Sequence, residues 1–481
     1  MVDNSEKFKS LAETLGEENV KTEPTITAEY AVDNVTPHVV VFPKNTDQVA
    51  KVVKFANQEH LTIVARGSGS KMAMGNPPQK LDMVVCTSRM NHMLDVDTSN
   101  LTITVEAGVK FRDIQARLAT QEDRCYLPLE DLEAEGDEMI CSDRSHSGCF
   151  IPIDPPYADK ATIGGIIATN STGPRRLLYN LPRDCIIGIR VVAPNGDILG
   201  SGGKTVKNVS GYDVSKLMVG SMGTLGILCE MTIRMLPLPE KMETLLVSFA
   251  NFSDASAFAE GIFETRLLPA AVEIMNAAAY GHLSLDDIPD FGSKDYVAAV
   301  ALEAFEPAVG RMRTEIRDMA KLGGAGADAV LEEQDHRSFW LAMSNLSGTL
   351  DKKFSGFIKA KLNYPLSLGK NIIETGESIF SRANLDYIFQ THAGSGICIT
   401  GLLIDHKDTV ATNKAVEAIG QLLGRCRAVD GNLVIQSAPA AVKGKLKMWG
   451  EVGSDFVVMK RLKDRLDPAG IMSPGRFVEG L

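Results

Sequence analysis

An α+β fold divided into two or three domains is what this sequence predicts. A chain of 481 residues is longer than one hydrophobic core ordinarily organises, so the core must be divided. Its opening strand–helix–strand pattern is that of a βαβ unit, and the hairpin signals further on do not belong to a purely parallel sheet.

The elements justify this in order. "HVVVF" (38–42) is a short buried strand, and Asn45 or Thr46 can cap a helix that carries Val49, Val52, Val53 and Ala56 on one face. "LTIVA" (61–65) is a second strand running into Arg66 and the loop "ARGSGSKMAMGNPP" (65–78). Strands follow at "DMVVC" (82–86) and "LTITVEAGV" (101–109), then a helix at "FRDIQARLA" (111–119). β-Branched residues flanking Asn195-Gly196 mark a hairpin over 187–203, and "GILCEMTIRMLPLP" (226–239) is a strand ended by Pro237 and Pro239. From 241 to 430, helical patterns alternate with strands such as "YVAAVALEAF" and "GICITGLLI", which predicts a second, α/β domain. An amphipathic helix near 456–466 stops before Pro468.

Composition narrows the function. Fifty Lys and Arg against 61 Asp and Glu leave a net charge of −11, which argues against a nucleic-acid surface. No apolar run approaches the ~20 residues of a membrane helix, and "MVDNSEKFKS" lacks the basic and apolar regions of a signal peptide, so the expected compartment is the cytoplasm.

The loop at 65–78 asks for an anion. A dinucleotide fingerprint would need a third glycine where Met72 stands, and a P-loop ending in "GKT" at 203–205 would need glycine where Ile198 stands. What survives is a nest of backbone N–H groups over 67–71, or else an ordinary tight loop. Two further glycine clusters, at 159–180 and 200–228, shift the balance toward the nest.

Taken together, "FPKNTDQVAKVVKFAN", "ARGSGS", "DPPYADKATIGGIIATNSTGPRR", "GGKTVKNVSGYDVSKLMVGSMGTLGI" and "LDPAGIMSPGRF" resemble the vanillyl-alcohol-oxidase (PCMH-type) flavoproteins. Within these the chain looks most like the FAD subunits of bacterial glycolate oxidase and FAD-linked D-lactate dehydrogenases. The resemblance implies an N-terminal segment (1–34), a two-subdomain FAD-binding domain (35–240), an α/β cap over the substrate (241–430) and a C-terminal return to the FAD domain (431–481). It implies that Arg66, Gly67, Ser68, Gly69 and Ser70 hold the pyrophosphate. Asp154, Pro155, Thr162, Gly164, Gly165, Thr169, Asn170 and Gly173 would line the path to the flavin ring, with Asp184 and Ile227 on the adenine side. No histidine lies between 61 and 91, so FAD is expected to be non-covalent.

The chemistry implied is oxidation of a small 2-hydroxy acid: hydride leaves the carbinol carbon, a base takes the hydroxyl proton and cations fix the carboxylate. His392 is the candidate base, with Lys361 or Arg337 as the grip. The plainer readings are a packing histidine beside the flavin, an exposed lysine and a solvated helix end. Many members carry H-x-G-D-G-N-x-H and a later E-H-G as a metal site, whereas "THAGSGICITG" has Ser395 for the acid and Ile399 for the second histidine, and no E-H pair follows. No divalent metal is therefore expected. That departure opens a second reading, a FAD-bearing subunit of a glycolate-oxidase-like complex that passes electrons to iron–sulfur or electron-transferring flavoprotein partners. A third is a structural or nucleotide-binding subunit without redox function.

An insertion absent from the family pattern holds "EDLEAEGDE" (130–138), with six acids, and then "CSDRSHSGC". Cys125, Cys141, His146 and Cys149 could ligate zinc or an iron–sulfur cluster, or lie incidentally in an acidic excursion that docks a partner.

Overall fold

The computed structural model describes residues 4–120, 124–128, 148–203, 213–283, 285, 288–292 and 295–481. The βαβ expectation holds. Strands Val39–Val41, Met83–Cys86 and Ile63–Arg66 lie side by side in parallel, and Val20–Lys21 adds antiparallel to the outer edge. Asn45 is the cap of helix Thr46–Gln58, accepting Gln48 N–H at 2.9 Å. The helix lays Val49, Val52, Val53 and Ala56 on the sheet, all fully buried.

The hairpin expectation holds as well. Strands Met93–Asp97, Thr102–Glu106, Ile227–Arg234, Ile186–Val192 and Ile198–Gly202 form a wholly antiparallel second sheet in that order, completing an α+β first part of the chain.

Helices and strands mix in the cap as expected, and its eight-stranded sheet is antiparallel at every pairing. An antiparallel sheet commonly leaves one face wet, and its strands then alternate apolar with polar. Here both faces are covered. In Tyr296–Ala304, Ala298, Val300 and Leu302 face one core, and Val297, Ala299 and Ala301 face another. That is why "YVAAVALEAF" carries no alternation to read. Strand Asn432–Ser437 is the eighth, paired with Ile358–Asn363, so this sheet continues beyond residue 430.

The chain then turns back to the first domain. Ile63 N–H donates to Ile471 O and Ser473 N–H to Ile63 O, both at 2.7 Å, so the tail lies beside the strand that feeds the glycine loop. Lys463, on helix Phe456–Leu466, is buried and donates to Asp467 and to the Thr224 and Met472 carbonyls. Among the described residues no helix is long and apolar enough to cross a membrane.

Candidate active site

Two adjoining cavities share Thr169 as a wall. The first runs along the glycine loop. Arg66 to Met72 form one side, Thr162, Gly164, Gly165 and Thr169 the other, and Gly226 to Leu228 with Arg476 close the end. Glycine at 67 is obligatory for close approach, because a Cβ there would collide with Thr162 Oγ1. Gly69 turns the loop at φ +84°. The amides of residues 67–71 take no backbone acceptor among the described residues, which is the arrangement an anion nest needs. Lys71 Nζ on this cleft, like Asn170 Oδ1 on the adjoining cavity, is buried with no protein hydrogen-bond partner. A polar cofactor laid through this cleft would satisfy such groups, and the residues present fit one.

Arg66 lines the cleft but is tied to the N-terminal segment, its guanidinium 4.3 Å over the Tyr30 ring and donating to Glu29 O. Thr162 caps helix Ile163–Ala168 by accepting from Gly165 N–H. Asp154 accepts Gly173 N–H at 2.9 Å and Arg175 N–H at 2.8 Å, so it shapes the loop that separates the cavities. Burial pushes its carboxyl above the ordinary value. Ile227 lines the first cavity; Asp154, Asn170 and Gly173 line the second. Two expected residues are not brought in. Pro155 is buried behind the wall, and Asp184 is exposed, accepting Leu181 N–H at the start of a short turn.

The second cavity, about 230 Å³, lies between the 169–176 segment and one face of the cap sheet. Its sheet wall follows from strand periodicity: Lys359, Lys361 and Asn363; Gln390 and His392; Ile397 and Ile399; Val434 and Gln436. Lys361 stands opposite Ile399 on one side and Val434 on the other, and His392 opposite Ile397. Register alone therefore gathers residues from four separated segments.

His392 is buried and its Nδ1 sits 2.7 Å from Glu273 Oε1, with Gln390 Nε2 donating to Glu273 Oε2 at 3.2 Å. Glu273 is fully buried, and burial pushes its carboxyl above the ordinary value while His392 pulls it down. A carboxylate on Nδ1–H places the histidine lone pair on Nε2. Opposite charge faces this pair. Arg176, Lys359 and Lys361 line the same cavity, and burial lowers both lysines to about 8, with Arg176 adding to the effect on Lys361.

Arg337 does not join them. It lies on helix Glu333–Lys353 and bonds back to Glu333 and Gln334 in the first turn, away from the cavity, so the expected grip at this position is corrected. Lys359 and Arg176 stand where it was expected to act. Lys359 had a signal, the i, i+2 spacing to Lys361 in "IKAKLN", and Arg176 sits in the quoted "GPRR". Glu273 was missed, and its one signal is an acid within the apolar run "AAVEIM".

Cys141 and His146 lie outside the described residues. Cys125 and Cys149 are buried, and Cys125 Sγ donates to Gln115 O at 2.9 Å. Among the described residues no three His, Cys, Asp or Glu side chains are grouped to hold a metal ion.

Comparison with known proteins decides the class. Residues 37–129 and 144–202 match the FAD binding domain family, and residues 238–477 match the FAD linked oxidases, C-terminal domain. The chain is an FAD-linked oxidoreductase. The oxidoreductase is 28% identical to the glycolate oxidase subunit GlcD of Bacillus subtilis over 92% of its own length and 89% of the relative's. It is 32% identical to a D-lactate dehydrogenase of Archaeoglobus fulgidus over 53% of its length and 51% of the relative's. A D-2-hydroxyglutarate dehydrogenase of Xanthomonas citri is 24% identical over 98% of this chain and 97% of that one. Its fold is that of p-cresol methylhydroxylase, with TM-score 0.74, 16% identity and coverage of 98% and 96% of the two chains. FAD is the cofactor, and the residues along Arg66 to Ser70 would hold it.

Proposed function

We propose that this oxidoreductase converts a small 2-hydroxy acid, of the glycolate or D-lactate kind, to the 2-oxo acid and passes the electrons to a partner protein. FAD supplies the two-electron acceptor for the hydride leaving the carbinol carbon. His392 Nε2 takes the hydroxyl proton, Glu273 holds the ring in the required tautomer and stabilises the imidazolium, and Lys361, Lys359 and Arg176 fix the carboxylate. The observation that carries this reading is one cavity, contiguous with the flavin cleft, holding a carboxylate-oriented histidine and three cations. FAD is held non-covalently in this reading, since no histidine lies between 61 and 91, the stretch that carries the glycine loop.

Anaerobic titration of the FAD-loaded chain with glycolate, D-lactate and related acids tests it. Bleaching of the flavin band by one of them is expected. Ser395 and Ile399, at the positions where many relatives place an acid and a histidine, favour a second reading: an FAD-bearing subunit that relays electrons within a larger complex, to an iron–sulfur or electron-transferring flavoprotein partner. No bleaching by any acid, with partner proteins copurifying, would select that reading.

A further inference from the structure

The loop that bounds the flavin cleft crosses from one cavity to the other: Lys71 and Met72 line the first and Met74 lines the second. Lys71 Nζ is buried and has no hydrogen-bond partner in the protein. A buried ammonium left unpaired is costly, and native proteins retain one where a ligand brings the missing negative charge. What acts electrostatically on the Lys71 ammonium is another cation. Burial, and then Lys359 on the wall of the second cavity, lower its pKa to about 7. Lys71 lines the first cavity, on the part of the loop that runs on to Met74 in the second, whereas residues 66–70 form the anion nest at the other end. On the proposed activity, the reacting ring of FAD would lie where the two cavities meet, at Thr169.

We propose that Lys71 is a redox-tuning residue, its buried ammonium held on the loop between the two cavities to pair with the negative charge that the flavin ring acquires on reduction. Hydride transfer delivers two electrons and one proton. Unless a second proton follows, the reduced ring carries one negative charge, and a fixed cation beside it favours the reduced form. The pyrophosphate is left to the backbone nest, and the substrate carboxylate to Lys359, Lys361 and Arg176.

The test uses the full FAD-loaded chain with Lys71→Met and Lys71→Arg, and reads the midpoint potential of bound FAD by dye equilibration. FAD retention and the dissociation constant of sulfite, whose addition also puts negative charge on the ring, are measured on the same samples. Lys71→Met should keep its FAD, bind sulfite at least tenfold more weakly and lose at least tenfold in stabilisation of the reduced form, about 30 mV for a two-electron couple. Lys71→Arg should stay near the parent on both readouts. An unchanged potential in Lys71→Met overturns the proposal, whether the variant then shows weakened FAD binding (a phosphate clamp) or only a raised KM (a substrate anchor). Lys71→Gln replaces it if circular dichroism shows that the methionine variant is unfolded. The proposal rests on bound FAD and not on the substrate. If no hydroxy acid reduces the flavin, the proposed activity fails while the potential, set with a chemical reductant, still decides the role of Lys71.

Discussion

Glu273 and His392 face one another across neighbouring antiparallel strands, carboxylate to Nδ1 at 2.7 Å, with both side chains buried. They are 119 residues apart in the chain, and only the register of Ala271–Met275 against Tyr387–His392 makes them a pair. The pair can hold a proton received at Nε2, because the imidazolium so formed has its counter-charge already in place.

Glu273→Gln keeps the shape and removes that charge. The first-order rate of anaerobic flavin reduction by the hydroxy acid should fall roughly 10²- to 10⁴-fold, with KM nearly unchanged. Stopped-flow absorbance reads it, and a variant as fast as the parent would remove His392 from the role of base.

Lys361→Met should act on binding instead. Loss of one charged hydrogen bond is about 1.5–3 kcal/mol, so KM should rise roughly 10- to 100-fold with kcat less affected. The pH profile carries the same signature. Lys359 and Lys361 titrate near 8 in the folded protein, below the ordinary lysine value of 10.5, so they are charged below that pH and neutral above it. The parent should therefore bind the acid well below about pH 8 and lose affinity as pH rises through it. The variant should show a shallower loss.

Gly67→Ala should give a protein depleted of FAD, because its Cβ would meet Thr162 Oγ1 across the cleft. Adding Thr162→Ala removes the colliding oxygen and should restore part of the bound flavin, at about 1 kcal/mol for the lost helix cap. The ratio of the flavin's visible absorbance to the protein's ultraviolet absorbance measures both. A double variant as colourless as the single one would show that the loop fails for another reason.

Glu303→Gln tests the joint between the domains. Arg175 donates to Glu303 at 2.5 Å and to His336 at 2.9 Å, and Tyr179 donates to the other Glu303 oxygen, all in a buried cluster. Burial by itself would raise the Glu303 pKa, but Arg175, with His336 and Tyr179, holds it down to about 2. A depressed carboxylate contributes stability that is fully present above its ordinary value of 4.5 and lost as pH falls toward 2. The variant leaves a buried guanidinium unpaired, so it should be less stable by about 3–5 kcal/mol at neutral pH and lose this part of the acid dependence. Thermal melts at several pH values between those limits would show both effects.

The glycine cleft, the helix on the first sheet and the hairpin were legible because each rests on local chemistry: a loop that only glycine can make, a cap, a period. The resemblance of the quoted motifs carried the FAD assignment, and the family matches agree with it. His392 and Lys361 were likewise visible as candidates, and both stand on the cavity wall.

What local signals could not supply is which distant side chains meet. Arg337 and Lys359 are both cations in the cap sequence, and nothing in their neighbours says that one bonds back to its own helix while the other faces the cavity. Glu273 reads as an oddity in an apolar strand until strand pairing puts it against His392. Sequence by itself determined the kind of protein, through the resemblance of its motifs and short-range backbone and packing rules; the tertiary fold decided the charge pattern of the site, because register and domain contact set which buried groups share one low-dielectric space.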